Sequence, residues 1–164
     1  MIKPAFIIFL SLLLGLSACD NSRIYEENVE MKNKTWVSDT TLNFEFQIDD
    51  PGQTYNLYYN LRNSASYPFQ NIYVIYTLKD TLGHQLDSML VNKDLFHPKT
   101  GKPYGSGLGD IFDHKFELLQ NYRFDKAGAY RLRLQQFMRR DSLPEILAVG
   151  VRVEKADTGT NKDD

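Results

Sequence analysis

The sequence LNFEFQI at residues 42–48 alternates strictly between large apolar and polar side chains. Successive side chains of a β-strand point to opposite faces of the sheet, so this period of two predicts a strand with one buried face. Asp50-Pro51-Gly52 follows and predicts a turn that ends the strand. Residues 42–52 therefore predict one strand and one turn of an all-β protein.

The same alternation recurs along the chain. Apolar side chains, with His114 as the one exception, occupy every second position over residues 55–61, 72–78, 112–118, 130–134 and 147–153, and a further strand is expected at 85–91. Segment 128–134, with Tyr130 just past a turn, resembles the late strand of many immunoglobulin-like sandwiches. The pattern predicts a single β-sandwich of about seven to eight antiparallel strands, with an immunoglobulin-like or related topology.

The N-terminus predicts a lipoprotein signal peptide over residues 1–18. Lys3 gives a short cationic start, and an apolar stretch with small residues near its end follows it. That stretch is about eleven residues long, whereas a membrane-spanning helix needs roughly 18 or more. The run Leu16-Ser17-Ala18-Cys19 resembles a bacterial lipobox, which implies cleavage after Ala18 and a lipid on Cys19. The alternative is a simple secretory signal followed by a buried free thiol.

Composition limits the classes of protein that remain. Removing residues 1–18 takes away one basic residue, Lys3, and leaves 18 basic and 21 acidic residues, a net charge of −3 that does not suggest a nucleic-acid partner. Cys19 is the only cysteine, so the core must be stable without disulfides. We expect a lipidated N-terminus and polar tether over residues 19–34, the sandwich over 35–155, and a disordered polar tail over 156–164.

The sequence contains no assembled catalytic or metal-binding motif. The three histidines are scattered at positions 84, 97 and 114, and His114 falls on the apolar face of its strand, which predicts a hydrogen-bonded core histidine. No serine lies in a nucleophile elbow, and the paired carboxylates lie in predicted turn or spacer positions. We therefore expect no enzyme activity, no cofactor and no metal.

Glycines and prolines are concentrated between Asn92 and Gly109, which predicts a long loop. The glycines match neither a phosphate-binding loop nor a dinucleotide-binding pattern, so they indicate a flexible or tightly turned segment. Loops on a rigid sandwich commonly carry recognition. The candidate binding residues are Gly101, Gly105, Gly107, Gly109 and Asp110.

Several short segments, in this order, resemble the gliding motility lipoprotein GldH family. They are Cys19 with its lipobox, Tyr25 ahead of Trp36, residues 44–48, Leu61-Arg62-Asn63, Tyr67-Pro68, Asn71-Ile72-Tyr73, Thr100-Gly101-Lys102-Pro103 and residues 105–111. The resemblance implies a non-catalytic lipoprotein required for gliding, or for assembling the gliding and associated secretion machinery. It also implies other gliding motility or secretion lipoproteins and envelope proteins as partners, and anchoring by the lipid on Cys19. We expect it at the periplasmic face of the outer membrane.

Two other functions are compatible with a sandwich. Exposed tyrosines such as Tyr58, Tyr73 and Tyr104 could stack on sugar rings in a surface carbohydrate-binding lipoprotein, although they could equally form ordinary cross-strand pairs. A hydrolase is the weakest alternative, because it would need catalytic residues that only folding brings together.

Overall fold

The computed structural model describes residues 22–157, which fold almost entirely into β-strands. The predicted signal peptide, Cys19 and most of the predicted tail lie outside these residues. The strands are β1 (Arg23–Glu30), β2 (Thr35–Val37), β3 (Leu42–Ile48), β4 (Thr54–Ser64), β5 (Asn71–Lys79), β6 (Gln85–Asp94), β7 (Ser106–Leu108), β8 (Ile111–Arg123), β9 (Gly128–Gln136), β10 (Ser142–Pro144) and β11 (Ile146–Lys155), with one short 3-10 helix, Lys32–Lys34. Within this part of the chain, no helix is long and apolar enough to cross a membrane.

The strands form two antiparallel sheets and one short ladder. The first sheet has the order β1-β11-β4-β8-β7, the second has the order β3-β9-β5-β6, and β10 pairs with β2. The eight long strands alone give two layers of four, between which the chain crosses repeatedly, as in a jelly roll with two Greek keys. The predicted β-sandwich is confirmed. Three additional strands of only three residues each, which local alternation does not reveal, raise the count to eleven.

The core lies between the two sheets and follows the period of two. In β3 the side chains of Leu42, Phe44, Phe46 and Ile48 are buried, while those between them are exposed. Phe124, in the turn between β8 and β9, joins this core and packs edge-on to Phe46 at a ring-centroid distance of 6.1 Å. Burial of such large aromatic side chains compensates for the absence of disulfides.

Tyr130 fixes the turn that precedes β9. Its hydroxyl donates a hydrogen bond of 2.7 Å to the backbone oxygen of Lys126, four residues earlier. A tyrosine that bonds back to the backbone just before its own strand is also found in immunoglobulin-like sandwiches. The role of Tyr130 thus matches the resemblance in residues 128–134, although the strand order is that of a jelly roll.

The predicted polar tether over residues 19–34 is wrong for most of its length. Residues 23–30 form β1, which pairs with β11 from Arg23 opposite Glu154 to Glu30 opposite Ala148. A strand at the edge of a sheet is half solvated, so its composition is polar, although Tyr25 and Val29 pack against the core. The folded body therefore begins no later than Arg23.

The antiparallel register defines two ends of the sandwich. The Arg23 end comprises Ser22 and the turns at residues 49–53, 80–84 and 124–127, as the pairing of Arg23 with Glu154 and of Ile48 with Gly128 shows. The opposite end comprises the segments at residues 64–70, 95–110 and 137–145. We call it the hairpin end, because the hairpin of β7 and β8 lies there. β8 spans the distance between the two ends alongside the 11 residues of β4, which at a rise of about 3.3 Å per residue separate these ends by about 33 Å.

Candidate functional site

The predicted binding glycines lie at the hairpin end, in and beside a tight hairpin made by β7 and β8. Leu108 pairs with Ile111, which leaves Gly109 and Asp110 as a two-residue turn. Gly109 has φ +65°, and Asp110 is not among the residues of positive φ. Glycine at the first central position of a two-residue hairpin is typical of a type II′ turn. The hairpin is therefore tightly turned.

Gly107 allows the two strands of this hairpin to approach closely. A Cβ atom at this position would lie 1.9 Å from the carbonyl oxygen of Ile111. A Cβ atom at Gly105 would lie 2.8 Å from the imidazole ring of His114. The side-chain atoms that these two glycines lack would collide with β8, so both positions serve packing of the hairpin.

His114 supports the hairpin from inside. It is only 6% exposed, and its Nε2–H donates to the Oδ1 of the buried Asn63 over 3.0 Å. Its ring stacks on Phe116 with a centroid distance of 5.3 Å. Burial lowers the pKa of His114 to about 4, against the smaller opposing effect of Asp113. The predicted hydrogen-bonded core histidine is confirmed.

The outer side of the hairpin presents apolar side chains to solvent. Leu108 is 93% exposed, and Ile111, which faces it across the ladder, is also exposed, as is Tyr104. The turn is held in place because the backbone oxygen of Asp110 accepts a 2.7 Å hydrogen bond from the backbone N–H of Ala65. An ordered turn thus carries an apolar tip, which we call the Leu108 tip (Leu108 and Ile111).

The predicted long loop over residues 92–109 is more regular than its composition suggests. Strand β6 continues to Asp94, the buried Leu95 fixes the segment to the core, and an isolated bridge joins Phe96 to Pro103. Gly101, with φ +65°, lies in the turn between the two sides of this bridge. Glycine and proline therefore mark tight turns here, which composition alone does not distinguish from an open loop.

A polar cleft of about 310 Å³ lies beside the hairpin on the outer face of the first sheet. Its lining includes Glu26, Asn28, Asn60, Arg62, Ser106, Asp113, Lys115, Ala148 and Arg152. Arg62 Nε donates to Asp113 Oδ1 over 2.7 Å, and Glu26 accepts from Arg23 and Arg152 over 2.7 and 3.1 Å. Burial raises the pKa of Glu26, but the hydrogen bond from Arg23 and the charge of Arg152 outweigh it and hold that pKa below its usual value.

Small residues of β11 form the floor of this cleft. Gly150 pairs with Asn28 of β1 on one side and with Asn60 of β4 on the other. A Cβ atom at Gly150 would lie 2.0 Å from the Oδ1 of Asn28. Sequence reasoning missed the cleft because its residues come from five strands. The sequence does contain one signal of the cleft, because polar residues alternate with the buried residues along β4 and along β8.

The structure does not bring the other candidate residues together. Tyr58 lies on the outer face of the first sheet under Lys115, whose Nζ is 4.3 Å from the ring centroid. Tyr73 lies on the outer face of the second sheet, and Tyr104 lies at the hairpin end, so the three tyrosines form no common platform. Among residues 22–157, no group of three His, Cys, Asp or Glu side chains could hold a metal ion.

Comparison with known proteins places these features in a family. The family model described as GldH lipoprotein matches residues 23–153. A gliding motility lipoprotein GldH homolog from Christiangramia forsetii is 32% identical over 157 residues, covering 92% of this chain and 94% of that protein. Gliding motility lipoprotein GldH from Flavobacterium johnsoniae is 28% identical over 167 residues, covering 95% of this chain and 99% of that protein.

Among solved structures, the VP2 subviral particle of infectious bursal disease virus matches 84% of this chain and 33% of the viral chain. The identity is 13% and the TM-score is 0.44, and no argument rests on this likeness. The family match covers every strand from β1 to β10 and nearly all of β11. The chain therefore belongs to the GldH lipoprotein family.

Proposed function

We propose that this protein is a lipid-anchored, non-catalytic component of the gliding machinery, or an assembly factor for that machinery and the associated secretion apparatus. The family match over residues 23–153 and the named relatives support a role in gliding. Three acyl chains on Cys19, the predicted lipidation site, would anchor the protein stably, since a single acyl chain gives only marginal membrane binding. The proposed location is the periplasmic face of the outer membrane.

The observation that carries this proposal is the Leu108 tip. Leu108 is almost fully exposed, and it is held on a tight hairpin by the close approach at Gly107 and by the Asp110–Ala65 hydrogen bond. An apolar side chain that is exposed in the free protein and fixed on a rigid support contributes favourably to binding when a partner buries it. The proposed role of the tip is therefore contact with another protein of the gliding or secretion machinery.

A non-catalytic role is supported by how the polar groups are used. His114 borders the cleft but is only 6% exposed, and its Nε2–H donates to the Oδ1 of Asn63, so its ring is engaged in a core contact. The charged side chains of the cleft bond mainly to one another, as Arg62 does to Asp113. Such a network is typical of a sheet surface whose charged groups stabilise one another.

The test is single-cell gliding speed in a strain lacking this protein. Complementation with Leu108→Asp at normal protein level should fail to restore gliding, whereas the conservative Leu108→Met should restore it. Complementation with Cys19→Ala should also fail if the lipid is required. Normal gliding of the deletion strain would reject the motility role, and normal gliding with Leu108→Asp would reject the tip as the contact surface.

A further inference from the structure

The Arg23 end of the sandwich is joined to the predicted lipid by a very short segment. Four residue steps separate Cys19 from Arg23, and a fully extended chain covers at most about 14 Å over that number of residues. Ser22 is already tied to the body, because its backbone oxygen accepts a 2.7 Å hydrogen bond from the backbone N–H of Lys155. A lipid on Cys19 would therefore hold the Arg23 end close to the bilayer.

The turn between β5 and β6, at the same end, presents a second apolar side chain. Leu82 is 79% exposed, and Leu86, which lines the same groove, is 40% exposed. The side chain of Asp80 accepts hydrogen bonds from the backbone N–H groups of Leu82 and His84 over 2.9 and 2.8 Å. The turn is thus ordered, and the exposure of Leu82 is a fixed property of its conformation.

The charged side chains near Leu82 favour a phospholipid surface. Lys79, Arg123 and Lys126 line the two grooves that border Leu82, together with the carboxylates of Asp80, Asp125 and Glu45. Asp80 is paired with His84 over 2.9 Å, and Glu45 accepts from Arg131 Nε over 2.9 Å. Only Glu45 is paired with a guanidinium, so Lys79, Arg123 and Lys126 face two carboxylates, those of Asp80 and Asp125, which leaves an excess of one positive charge around the apolar tip. Cations beside an apolar side chain can bind lipid phosphates above an acyl layer.

We propose that the bilayer holding the lipid also covers the Arg23 end, with the Leu82 turn seated among the lipid headgroups. The sandwich then stands on this end, and the Leu108 tip points away from the membrane, separated from it by the length of β8. This inference rests on the proposed lipidation of Cys19. It assigns a membrane-contact surface to a part of the chain separate from the anchor itself.

Single introduced cysteines test this orientation, because Cys19 is the only native cysteine and its thiol is consumed by the lipid. The lipidated full chain is reconstituted in phosphatidylcholine and phosphatidylethanolamine vesicles after Leu82→Cys or Leu108→Cys is labelled with an environment-sensitive fluorophore. Met89→Cys, on the exposed middle of β6, is the matched control. Quenching is measured with a headgroup nitroxide lipid and with aqueous iodide.

The label at position 82 should be quenched by the nitroxide lipid and protected several-fold from iodide, whereas labels at 89 and 108 should remain open to iodide. Equal iodide access at 82 and 108, or nitroxide quenching at 108, would overturn the inference. Intact mass and vesicle flotation separate the two proposals. If the chain carries no acyl groups and fails to float, both the lipid anchoring and the orientation on the bilayer are overturned. If the chain is acylated and floats but its label at position 82 is open to iodide, only the orientation is overturned.

Discussion

Acidification should destabilise this protein through His114. The folded state lowers the pKa of His114 from 6.5 to about 4, mainly because burial disfavours the charged ring. The unfolded chain therefore binds the proton first, so the contribution of this group to stability falls as pH drops below 6.5 and levels off below about 4. Between pH values of about 7.5 and about 4.5, this one group should lower the free energy of unfolding by about 2–3 kcal/mol.

The assay is urea unfolding of the mature chain at a series of pH values. Trp36 is fully buried and is the only tryptophan, so its fluorescence reports the loss of the core. Carboxylates also titrate in this range, and the variant His114→Gln removes the histidine contribution while keeping a group that can donate to Asn63. The wild type should lose about 2–3 kcal/mol more than this variant over the same interval.

Two results would refute the reasoning. One is an identical pH dependence in the wild type and in His114→Gln. The other is a proton NMR titration of the His114 ring with a midpoint near 6.5, which would mean that the folded state does not hold the ring neutral.

Three substitutions test other contacts by the same unfolding assay. Gly107→Ala should lower the free energy of unfolding by about 1–3 kcal/mol, because its Cβ would collide with the Ile111 carbonyl oxygen; unchanged stability would mean that the hairpin is not closely packed. Tyr130→Phe should cost about 1 kcal/mol through loss of the bond to Lys126, and a cost near zero would argue against that bond. Tyr59→Phe should stabilise by about 1 kcal/mol, because the buried Tyr59 hydroxyl has no hydrogen-bond partner among the described residues; destabilisation would indicate a bound water.

The strands that alternation predicts are those whose two faces differ in environment. Residues 42–48 lie in β3 with one face in the core and the other in solvent, so a local pattern suffices. β1 lacks that contrast because it is an edge strand, and its partner β11 is more than one hundred residues away in the chain. No local pattern reports such a pairing, which is why residues 23–30 resemble a polar tether in sequence.

The binding role of the candidate glycines stays a prediction, and their packing could not be predicted from the sequence. The glycines at 105, 107 and 109 do lie together at one end of the sandwich, but their packing depends on Ile111 and His114 of the facing strand. Leu108 stands between two of these glycines in sequence, and its exposure follows from the hairpin geometry. An exposed apolar tip of this kind depends on which side chain a turn leaves uncovered, and composition does not contain that information.

The position of β11 has a consequence for how the exported chain acquires its structure. Among residues 22–157, β11 is the last strand to be synthesised, yet it lies between β1, the first of these strands, and β4 in the same sheet. Until residues 146–155 have emerged, β1 has no neighbour in its sheet and one side of β4 is unpaired. Folding cannot be completed in order from the N-terminus, and pairings between distant segments form slowly. A truncation that removes these ten residues would therefore leave β1 attached to the chain but separated from β4, β8 and β7, the remaining strands of that sheet.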